Sequence, residues 1–153
     1  MIFRVSLPGE IGALTRIFKA AFDTDISVGN TEPGGPPEYD CAAWHQRMME
    51  SGKLYCAICD DRMIGGAVLF PDAEQKEVYI GRIFVDPAHF RKGYGIAIME
   101  QIEKKFVGYL CKLDTPVWNM RTKRFYQKLG YRETGRDEET VFYEKELPYE
   151  TQS

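Results

Sequence analysis

The most informative stretch of this sequence spans fourteen residues and reads Ile83-Phe84-Val85-Asp86-Pro87-Ala88-His89-Phe90-Arg91-Lys92-Gly93-Tyr94-Gly95-Ile96. It predicts a strand that ends at Pro87 and a short basic turn, with two alternate glycines, that leads into a helix. The first N–H groups of a helix have no partner within it, and the helix dipole adds partial positive charge there. The stretch therefore predicts a backbone cradle for an anion such as a phosphate.

Two other classes of glycine loop can be tested on the same residues. Gly93 and Gly95 carry no Cβ that would keep a phosphate oxygen away from the backbone. A dinucleotide-binding fingerprint, however, requires a third glycine or an alanine where this chain has Ile98. A Walker A loop would end in Gly-Lys followed by Ser or Thr, and the sequence lacks that triplet. The turn by itself therefore indicates an anion site without indicating which anion.

Length and composition predict one globular domain that covers residues 1–153. Hydrophobic residues make up 44% of the chain and charged residues 28%, as in ordinary water-soluble proteins. No run approaches the roughly 18 apolar residues of a membrane span. The first residues also lack the features of a signal peptide. These observations predict a cytoplasmic protein without a membrane partner.

The net charge of −3 gives no general electrostatic reason to bind nucleic acid. The charge is unevenly distributed, however, because six basic residues lie within a short segment near the C-terminus. They are Arg121, Lys123, Arg124, Lys128, Arg132 and Arg136. This segment is either a solvated face or a surface that meets an anionic cofactor.

Four cysteines in a chain of this kind predict no disulfide framework. Cys56 and Cys59 match a C-x-x-C pattern, but they lie in a segment that reads as a strand. Residues three apart on a strand point to opposite faces, so the two thiols cannot share a metal. His45 and His89 are the only histidines. We therefore expect no metal site.

Hydrophobic periodicity predicts seven strands and four helices in the order β-α-α-β-β-β-α-β-α-β-β. This is a mixed α/β fold, with antiparallel meanders around one central β-α-β unit. The predicted strands are residues 1–6, 53–59, 63–70, 76–85, 110–117, 131–135 and 140–146. The predicted helices are residues 11–22, 41–48, 93–106 and 120–129. Turns are predicted at residues 60–62 and 71–75, and a mobile Gly/Pro-rich loop at residues 29–37. The third helix is expected to carry Ile96, Met99, Ile102 and Phe106 on its inner side.

At its glycine turn the chain resembles the GNAT superfamily of N-acetyltransferases. The pyrophosphate motif of that family is Gln/Arg-x-x-Gly-x-Gly/Ala, after a strand that ends in a Val-x-Pro-like segment. Here that frame is filled by Val85-Asp86-Pro87 and Phe90-Arg91-Lys92-Gly93-Tyr94-Gly95. Phe90 departs from the pattern, since the family has Gln or Arg there. A side-chain contact is therefore lost or is taken over by Arg91.

A second stretch also resembles the family and reads Asn119-Met120-Arg121-Thr122-Lys123-Arg124-Phe125-Tyr126-Gln127-Lys128-Leu129-Gly130-Tyr131. The family pattern is Asn-x-x-Ala-x-x-Phe-Tyr-x-Lys-x-Gly-Phe, so Thr122 replaces an alanine and Tyr131 a phenylalanine. The two matches occur in the family's order, and the resemblance covers about residues 1 to 147. It implies a GNAT-like, mostly antiparallel mixed sheet of about six or seven strands flanked by about four helices.

The resemblance implies that the protein transfers an acetyl group from acetyl-CoA to a primary amine by direct attack in a ternary complex. The acceptor would be a small molecule or a peptide. The backbone between Ile83 and Val85 would pair with the pantetheine arm, and the Val85 N–H would stabilise the developing oxyanion. Tyr126 would protonate the leaving thiolate. The remaining cofactor-binding residues would be Arg91, Lys92, Gly93, Tyr94, Gly95, Ile96, Asn119 and Lys128.

Several of these residues have a second interpretation. Tyr126 also fits a half-buried aromatic of an amphipathic helix, and Asn119 fits a helix N-cap. Glu77, which shares a strand face with Tyr79, is the candidate general base, although it equally fits a solvated glutamate at the start of a strand. Trp44 and Trp118, with the loop at residues 29–37, would line the acceptor pocket or pack in the core. Arg124 is an alternative to Lys128 for contacting a CoA phosphate.

A second function is compatible with the same fold, namely a non-catalytic domain that binds or senses acyl-CoA. Phe90 favours that alternative, whereas the presence of Tyr126 favours catalysis. An RNA-binding role is disfavoured by the net charge and by the lack of an RNA-binding aromatic motif. We therefore expect acetyl-CoA as co-substrate, an amine-bearing acceptor and no nucleic acid, in a monomer or a homodimer.

Overall fold

The computed structural model describes residues 1–24 and 38–148. Its seven strands and four α-helices follow the predicted order. The strands are β1 (Ile2–Val5), β2 (Leu54–Cys59), β3 (Arg62–Asp72), β4 (Glu77–Val85), β5 (Leu110–Pro116), β6 (Arg132–Arg136) and β7 (Thr140–Glu146). The helices are α1 (Ile11–Asp23), α2 (Ala42–Glu50), α3 (Tyr94–Lys105) and α4 (Met120–Lys128). Short 3-10 turns occupy Pro8–Glu10 and Pro87–His89. The loop predicted at residues 29–37 lies outside the described residues.

The strands form one sheet in the order β1-β2-β3-β4-β5-β7-β6. Every neighbouring pair is antiparallel except β4 and β5, which are parallel. A parallel pair needs a crossover, and α3 provides it. The predicted mixed sheet around one β-α-β unit is thus confirmed. The longest described helix has 13 residues, so no helix in this part of the chain could cross a bilayer, which takes about 20.

The two turns that flank β3 differ from the prediction in detail. Asp60 and Asp61 both have positive φ, 50° and 61°, so these two residues alone make the hairpin turn, and Arg62 already belongs to β3. Pro71, predicted to lie in a turn, is part of β3 and faces Val78 of β4. The pairing of β3 with β2 ends before Pro71. One side of the strand is therefore free there, and a proline removes no hydrogen bond from that side.

The core forms two clusters, one on each face of the sheet. The first cluster includes buried residues of α3 and α4 and contains Val78, Ile80, Ile98, Met99, Ile102, Phe106, Cys111, Leu113, Tyr126, Val141 and Tyr143, among others. The second lies beneath α1 and contains Ile11, Leu14, Phe18, Ala21, Leu54, Cys56, Val68 and Phe84. Ile96, predicted to face inward, is 37% exposed, and Ile98 is buried in α3 instead. Ile96 lies in the first turn of α3, beside the glycine turn, where no other element covers it.

The C-x-x-C cysteines lie in different clusters, as the strand alternation predicted. Cys56 is buried beneath α1, and Cys59 packs against the cluster on the opposite face. Burial raises the pKa of Cys56 to about 11, so its thiol stays protonated at neutral pH. In the described part of the chain, His, Cys, Asp and Glu form no group of three or more that could hold a metal ion.

His45 of α2 is fully buried between the helices and the sheet. Its Nδ1 lies 2.8 Å from the hydroxyl oxygen of Thr15, and its ring stacks on Phe18 with centroids 4.6 Å apart. Burial, followed by the positive charge of Arg82, lowers the pKa of His45 from 6.5 to about 4. The folded protein therefore holds His45 neutral at a pH where the unfolded chain protonates it.

We expect this histidine to make stability depend on pH between about 6.5 and 4. Its contribution is complete above the pKa of the unfolded chain and is lost as the pH falls towards the folded value, by about 3 kcal/mol in all. The measurement is the free energy of unfolding by urea at several pH values, for the wild type and for His45→Gln. The variant should lose less stability over this range. Parallel curves for the two proteins would contradict the prediction.

Candidate active site

The strands β4 and β5 separate shortly after they meet. They pair at three positions only, Glu77 with Leu110, Val78 with Cys111 and Tyr79 with Lys112. Beyond these positions β4 continues to residue 85 and β5 to residue 116 without pairing with each other. The two central strands therefore form a V-shaped opening in the middle of the sheet, which we call the splay.

A β-bulge in β4 accompanies the splay. Val68 pairs with Arg82 and Leu69 pairs with Ile80, so Gly81 has no partner on β3. A bulge bends its strand and increases the local twist. A Cβ on Gly81 would lie 2.4 Å from the ring of Phe70. Glycine is therefore the residue that fits at the bulge without displacing this ring.

The free edge of β4 presents backbone groups to the splay. The N–H of Asp86 donates to the carbonyl of Ile64 at 2.7 Å. In an antiparallel pair these bonds alternate along the strand, so the N–H groups of Val85 and Ile83 point away from β3 and towards the splay. Both residues are half-buried. Unpaired N–H groups on such an edge favour an extended polar partner, and the pairing of these two residues with a pantetheine arm stays a prediction.

The glycine turn forms the other end of this edge. Asp86 accepts a hydrogen bond from the Ala88 N–H at 3.0 Å, which starts the turn after β4. Arg91 and Gly93 then adopt positive φ, 67° and 78°. The first helical hydrogen bond runs from Ala97 to Gly93, so the N–H groups that precede Ala97 in α3 lack a helical partner. Arg91, Lys92, Gly93 and Ile96 are exposed around them.

The two glycines of the turn lie in different surroundings. A Cβ on Gly93 would meet no atom within 4 Å, but φ is +78°, which side chains other than glycine rarely adopt. A Cβ on Gly95 would lie 3.4 Å from the Phe125 ring, which is an ordinary van der Waals contact, so Gly95 marks where α3 packs against α4. Tyr94, between them, is half-buried and its ring meets His89 edge-on. The turn thus forms an exposed, basic cradle next to the start of α4.

Phe90, where the family has Gln or Arg, lies beside a cation from another element. The guanidinium of Arg121, in the first turn of α4, lies 5.5 Å from the Phe90 ring centroid. Such a stack is favourable and orients the arginine. Positive charge therefore reaches this corner of the turn from α4. Lys128 is exposed and shares a helical face with Arg121, seven residues away.

Tyr126 lies in α4 and points into the core next to the splay. Its ring packs edge-on against Phe125 and Tyr131, with centroids 5.3 and 5.9 Å away. Its hydroxyl forms no hydrogen bond with any of the described residues. Burial, followed by the negative charges of Cys111 and Asp114, raises the pKa of Tyr126 well above its ordinary value. The phenol is therefore protonated at neutral pH and has a proton to give.

Asn119 caps α4, which is the second interpretation that the sequence allowed. Its side-chain oxygen accepts from the Thr122 N–H at 3.1 Å, and the residue is 2% exposed. The Thr122 hydroxyl in turn contacts that of Thr115 on β5. Asn119 and Thr122 thus fix the start of α4 against the strand that forms one wall of the splay. A contact between Asn119 and a cofactor stays a prediction.

Glu77, the predicted base, lies at the opposite end of β4 from Val85. Eight residues of extended strand separate them, roughly 26 Å. Its carboxylate pairs with Lys112 at 3.1 Å. Tyr79, two residues along, lies where the splay begins, and its hydroxyl donates to Asp114 Oδ2 at 2.6 Å. The sequence patterns did not single out Asp114. Its one indication is the alternation of β5, which places Asp114 on the other face of the sheet from the buried Leu113.

The two tryptophans occupy different environments. The guanidinium of Arg82 lies over the ring of Trp44 in α2, 3.9 Å from the ring centroid. Arg82 follows the bulge on β4, and burial lowers its pKa. Trp44 therefore holds a cation beside the sheet, on the face covered by α1 and α2. Trp118 is half-buried just before α4.

Comparison with protein-family models identifies the family of this chain. The model of the Acetyltransferase (GNAT) family matches residues 14–131, a range that includes the splay, the glycine turn and α4. The chain belongs to the GNAT acetyltransferase family. Comparison with curated proteins gives no match.

Solved structures agree with the family. The PaiA N-acetyltransferase from Thermoplasma acidophilum, in complex with coenzyme A, has a TM-score of 0.79 at 17% identity over 95% of this chain and 98% of that one. A GNAT acetyltransferase from Streptococcus agalactiae 2603 has a TM-score of 0.81 at 17% identity over 94% of both chains. The ribosomal-protein-S18-alanine N-acetyltransferase from Escherichia coli has a TM-score of 0.74 at 14% identity, over 99% and 96%. These TM-scores show a shared fold and confirm the GNAT-like architecture.

Proposed function

We propose that this GNAT protein transfers the acetyl group of acetyl-CoA to a primary amine of a small molecule or a peptide. Attack would be direct, with both substrates bound at once. The observation that supports this most strongly is the continuity between the free edge of β4 and the glycine turn. We further propose that residues 1–153 form one cytoplasmic domain, active as a monomer or a homodimer.

The shape of acetyl-CoA fits this continuous surface. Its pantetheine arm carries amide groups that can pair with an extended strand, and its pyrophosphate carries the negative charge that a helix start favours. The N–H groups of Ile83 and Val85 face the splay, and the cradle at Gly93 opens at the end of the same strand. The PaiA structure from Thermoplasma acidophilum contains coenzyme A on a similar fold, which supports the same cofactor here.

Solved structures of similar fold support an amine as the acceptor. One similar structure is named as an N-acetyltransferase for the alanine of ribosomal protein S18, and another as an aminoglycoside 6′-acetyltransferase. The acceptors of these two proteins both carry amines and differ in size. We therefore propose the reaction class for this chain and leave the acceptor open between small molecules and peptides.

In the proposed complex the cradle binds the pyrophosphate. The backbone N–H groups from Arg91 to Ile96 donate to its oxygens, because Phe90 offers no polar side chain. Lys92 adds positive charge beside the turn. Lys128, or Arg124 on the same exposed helix, contacts a further phosphate.

In the proposed reaction the amine nitrogen bonds to the thioester carbon, and negative charge develops on the carbonyl oxygen. The Val85 N–H, held by β4, donates to that oxygen. The carbon–sulfur bond breaks, and the Tyr126 hydroxyl gives its proton to the CoA thiolate. The attacking nitrogen gives its proton to solvent water, because Glu77, the base predicted from the sequence, lies roughly 26 Å along β4 from Val85 and is paired with Lys112. Tyr126 then regains a proton from solvent.

The alternative of a non-catalytic acyl-CoA sensor is supported by one observation, the loss of a polar side chain at Phe90. The backbone cradle is unaffected by that loss, and Arg121 brings a cation to the same corner. Both functions therefore use the same backbone cradle, and a turnover measurement distinguishes them.

We expect acetyl-CoA at about 100 times its Kd to raise the melting temperature by roughly 5 to 10 °C, because a ligand of the folded state stabilises it by mass action. The measurement is thermal unfolding followed by fluorescence. The matched control is the acetyl thioester of N-acetylcysteamine at the same concentration. It lacks the pyrophosphate and should produce no shift. No shift with millimolar acetyl-CoA would contradict the proposed cofactor.

Release of free CoA thiol from acetyl-CoA then tests turnover. The acceptor panel should contain simple amines, polyamines, aminoglycosides and peptides with a free amino group. Thiol release with at least one of them, above hydrolysis without acceptor, supports the enzyme. Binding of acetyl-CoA without release from any acceptor supports the sensor.

A further inference from the structure

The sheet has two edge strands, β1 and β6, and they differ in how far they are protected from pairing with another chain. An edge presents a row of unpaired N–H and C=O groups, which proteins commonly protect with charged side chains or a bulge. β6 has both kinds of protection. All five of its residues are exposed, three of them are charged, and a bulge interrupts its pairing with β7 between Glu133 and Gly135. β6 is therefore unfavourable for adding a further strand.

β1, at the other edge, is regular and mostly apolar. Its four residues pair with β2 in one unbroken register. Half of the eight large hydrophobic side chains that are exposed in the described residues lie in or beside this strand, namely Met1, Ile2, Val5 and Leu7. Such a concentration on an edge strand is typical of an interaction surface. We call the open side of β1, with these four side chains, the β1 edge.

Backbone groups on the β1 edge point away from the rest of the sheet. The Ser6 N–H donates to the Leu54 carbonyl at 2.9 Å, which marks a hydrogen-bonded pair between the ends of β1 and β2. In antiparallel strands such pairs alternate with residues whose N–H and C=O groups face the other way. The register of β1 therefore turns the backbone groups of Phe3 and Val5 outward, together with the Met1 carbonyl.

The one charged residue of β1 is neutralised within the molecule. The Arg4 guanidinium donates to the two carboxylate oxygens of Glu10, at 2.9 and 2.8 Å, and to the Val5 carbonyl at 3.2 Å. Two copies of the strand can therefore approach each other without the repulsion of bare like charges. Within the described part of the chain, the outward groups without a partner are then the N–H groups of Phe3 and Val5 and the carbonyls of Met1 and Phe3.

These two donors and two acceptors are complementary to a second copy of themselves. When two β1 strands run antiparallel about a two-fold axis at Phe3, each Phe3 N–H meets the Phe3 carbonyl of the other copy. Each Val5 N–H meets the Met1 carbonyl of the other copy, so all four groups are paired. Arg4 then lies opposite Ile2 of the other copy. An axis at Arg4 would instead place two arginines opposite each other, which is unfavourable.

We propose that the β1 edge is the interface of a homodimer, in which a second copy of this chain adds its β1 strand antiparallel about a two-fold axis. The two seven-stranded sheets then form one continuous sheet. A two-fold interface uses the same surface of both copies and must complement itself. The backbone groups, the neutralised charge and the exposed apolar side chains of the β1 edge meet that requirement. Because β2 and β3 separate β1 from β4, the dimer leaves both splays open, and this inference does not depend on the proposed acetyl transfer.

The first test is sedimentation velocity of the whole chain as a function of concentration. Each strand contributes four residues, so the interface is small, and we expect a dimer with a Kd of roughly 1–100 µM. Between about 1 and 500 µM the protein should pass from monomer to dimer and form no larger species. Monomer at every concentration would overturn the proposal. Growth beyond the dimer would also overturn it, because only an open, head-to-tail contact continues to add copies.

Amide hydrogen exchange followed by NMR locates the interface without a variant. The N–H groups of Phe3 and Val5 should exchange roughly tenfold or more slowly at high protein concentration than at low concentration. The Ser6 N–H, which is bonded to Leu54 within the molecule, is the internal control and should change by less than about twofold. A dimer in which Phe3 and Val5 stay unprotected would show that another surface associates, and would overturn the proposal.

Val5→Pro tests the backbone pairing. It removes an N–H that faces outward, so the monomer keeps the bonds between β1 and β2. The dimer loses two of its four bonds and should weaken roughly tenfold or more. Val5→Thr is the matched control, since it keeps the N–H and the branched shape, and it should dimerise within about threefold of the wild type. Equal dimerisation of the two variants would overturn the proposal.

Ile2→Lys and Ile2→Glu test the register. Both variants replace the same exposed apolar side chain, and in the proposed register residue 2 lies opposite Arg4 of the other copy. The lysine should repel that arginine and the glutamate should attract it, so Ile2→Lys should dimerise roughly three- to tenfold more weakly than Ile2→Glu. Equal affinities, or the reverse order, would overturn this register and the interface proposed from it.

Discussion

Gly93→Glu is expected to weaken acetyl-CoA binding by roughly 100-fold or more, because it places a carboxylate next to the pyrophosphate. The Cβ of residue 93 faces open space at the rim of the cradle, so the new side chain need not disturb the core. The positive φ of 78° adds backbone strain of about 1–2 kcal/mol for any residue other than glycine. The measurement is the Kd of acetyl-CoA by calorimetry.

The matched control is Gly93→Lys, which imposes the same backbone strain with the opposite charge. Both variants should lose a similar amount of stability, whereas Gly93→Lys should keep acetyl-CoA affinity within about tenfold of the wild type. Equal loss of affinity in both variants would attribute the effect to strain. Retained affinity in Gly93→Glu would place the pyrophosphate elsewhere.

Tyr126→Phe is expected to lower kcat by roughly 100-fold while the Kd of acetyl-CoA changes by less than about twofold. The fold should tolerate the change, since the Tyr126 hydroxyl makes no hydrogen bond to the part of the chain that is described. The measurement is thiol release at saturating acetyl-CoA, over the pH range in which the protein is folded. Because burial raises the pKa of Tyr126, its ionisation should not reduce turnover below pH 10.

Tyr131→Phe is the control for Tyr126→Phe. The two rings are in contact, but the Tyr131 hydroxyl bonds to Glu103 and to the Cys111 sulfur, at 3.1 and 3.3 Å. Its removal should therefore lower the melting temperature and leave kcat nearly unchanged. Unchanged turnover in Tyr126→Phe at every pH would remove this tyrosine from the acid role.

Much of the fold was predictable from local patterns. Ile11, Leu14 and Phe18 recur at helical spacing, and the same residues form the buried face of α1. The glycine turn follows a strand and precedes a helix, as its composition indicated. Three details were wrong, since Arg62 and Pro71 belong to β3 and Ile96 is exposed. Periodicity shows which residues share a side of a helix or strand, but not which end another element covers.

The candidate site was predictable to the extent that it follows the chain. The cradle and Tyr126 each lie within a short motif, and the structure places both at the splay. Asp114 was not found, because its partner Tyr79 is 35 residues away in the sequence. No local sequence pattern predicts the contact between Asp114 and Tyr79.

Sequence alone determined the order of the elements, the glycine turn at Gly93 and the family resemblance, because each depends on residues close together in the chain. Tertiary structure alone decided that β4 and β5 pair at three positions and then part. The bulge at Gly81 and the crossover through α3 lie in different segments of the chain. Their combined effect on the separation of β4 and β5 is visible only in the folded sheet. That separation exposes the N–H groups of β4 on one side of the opening and brings Asp114 to Tyr79 on the other. The glycine turn could therefore be predicted from the sequence, whereas the opening between β4 and β5 required the fold.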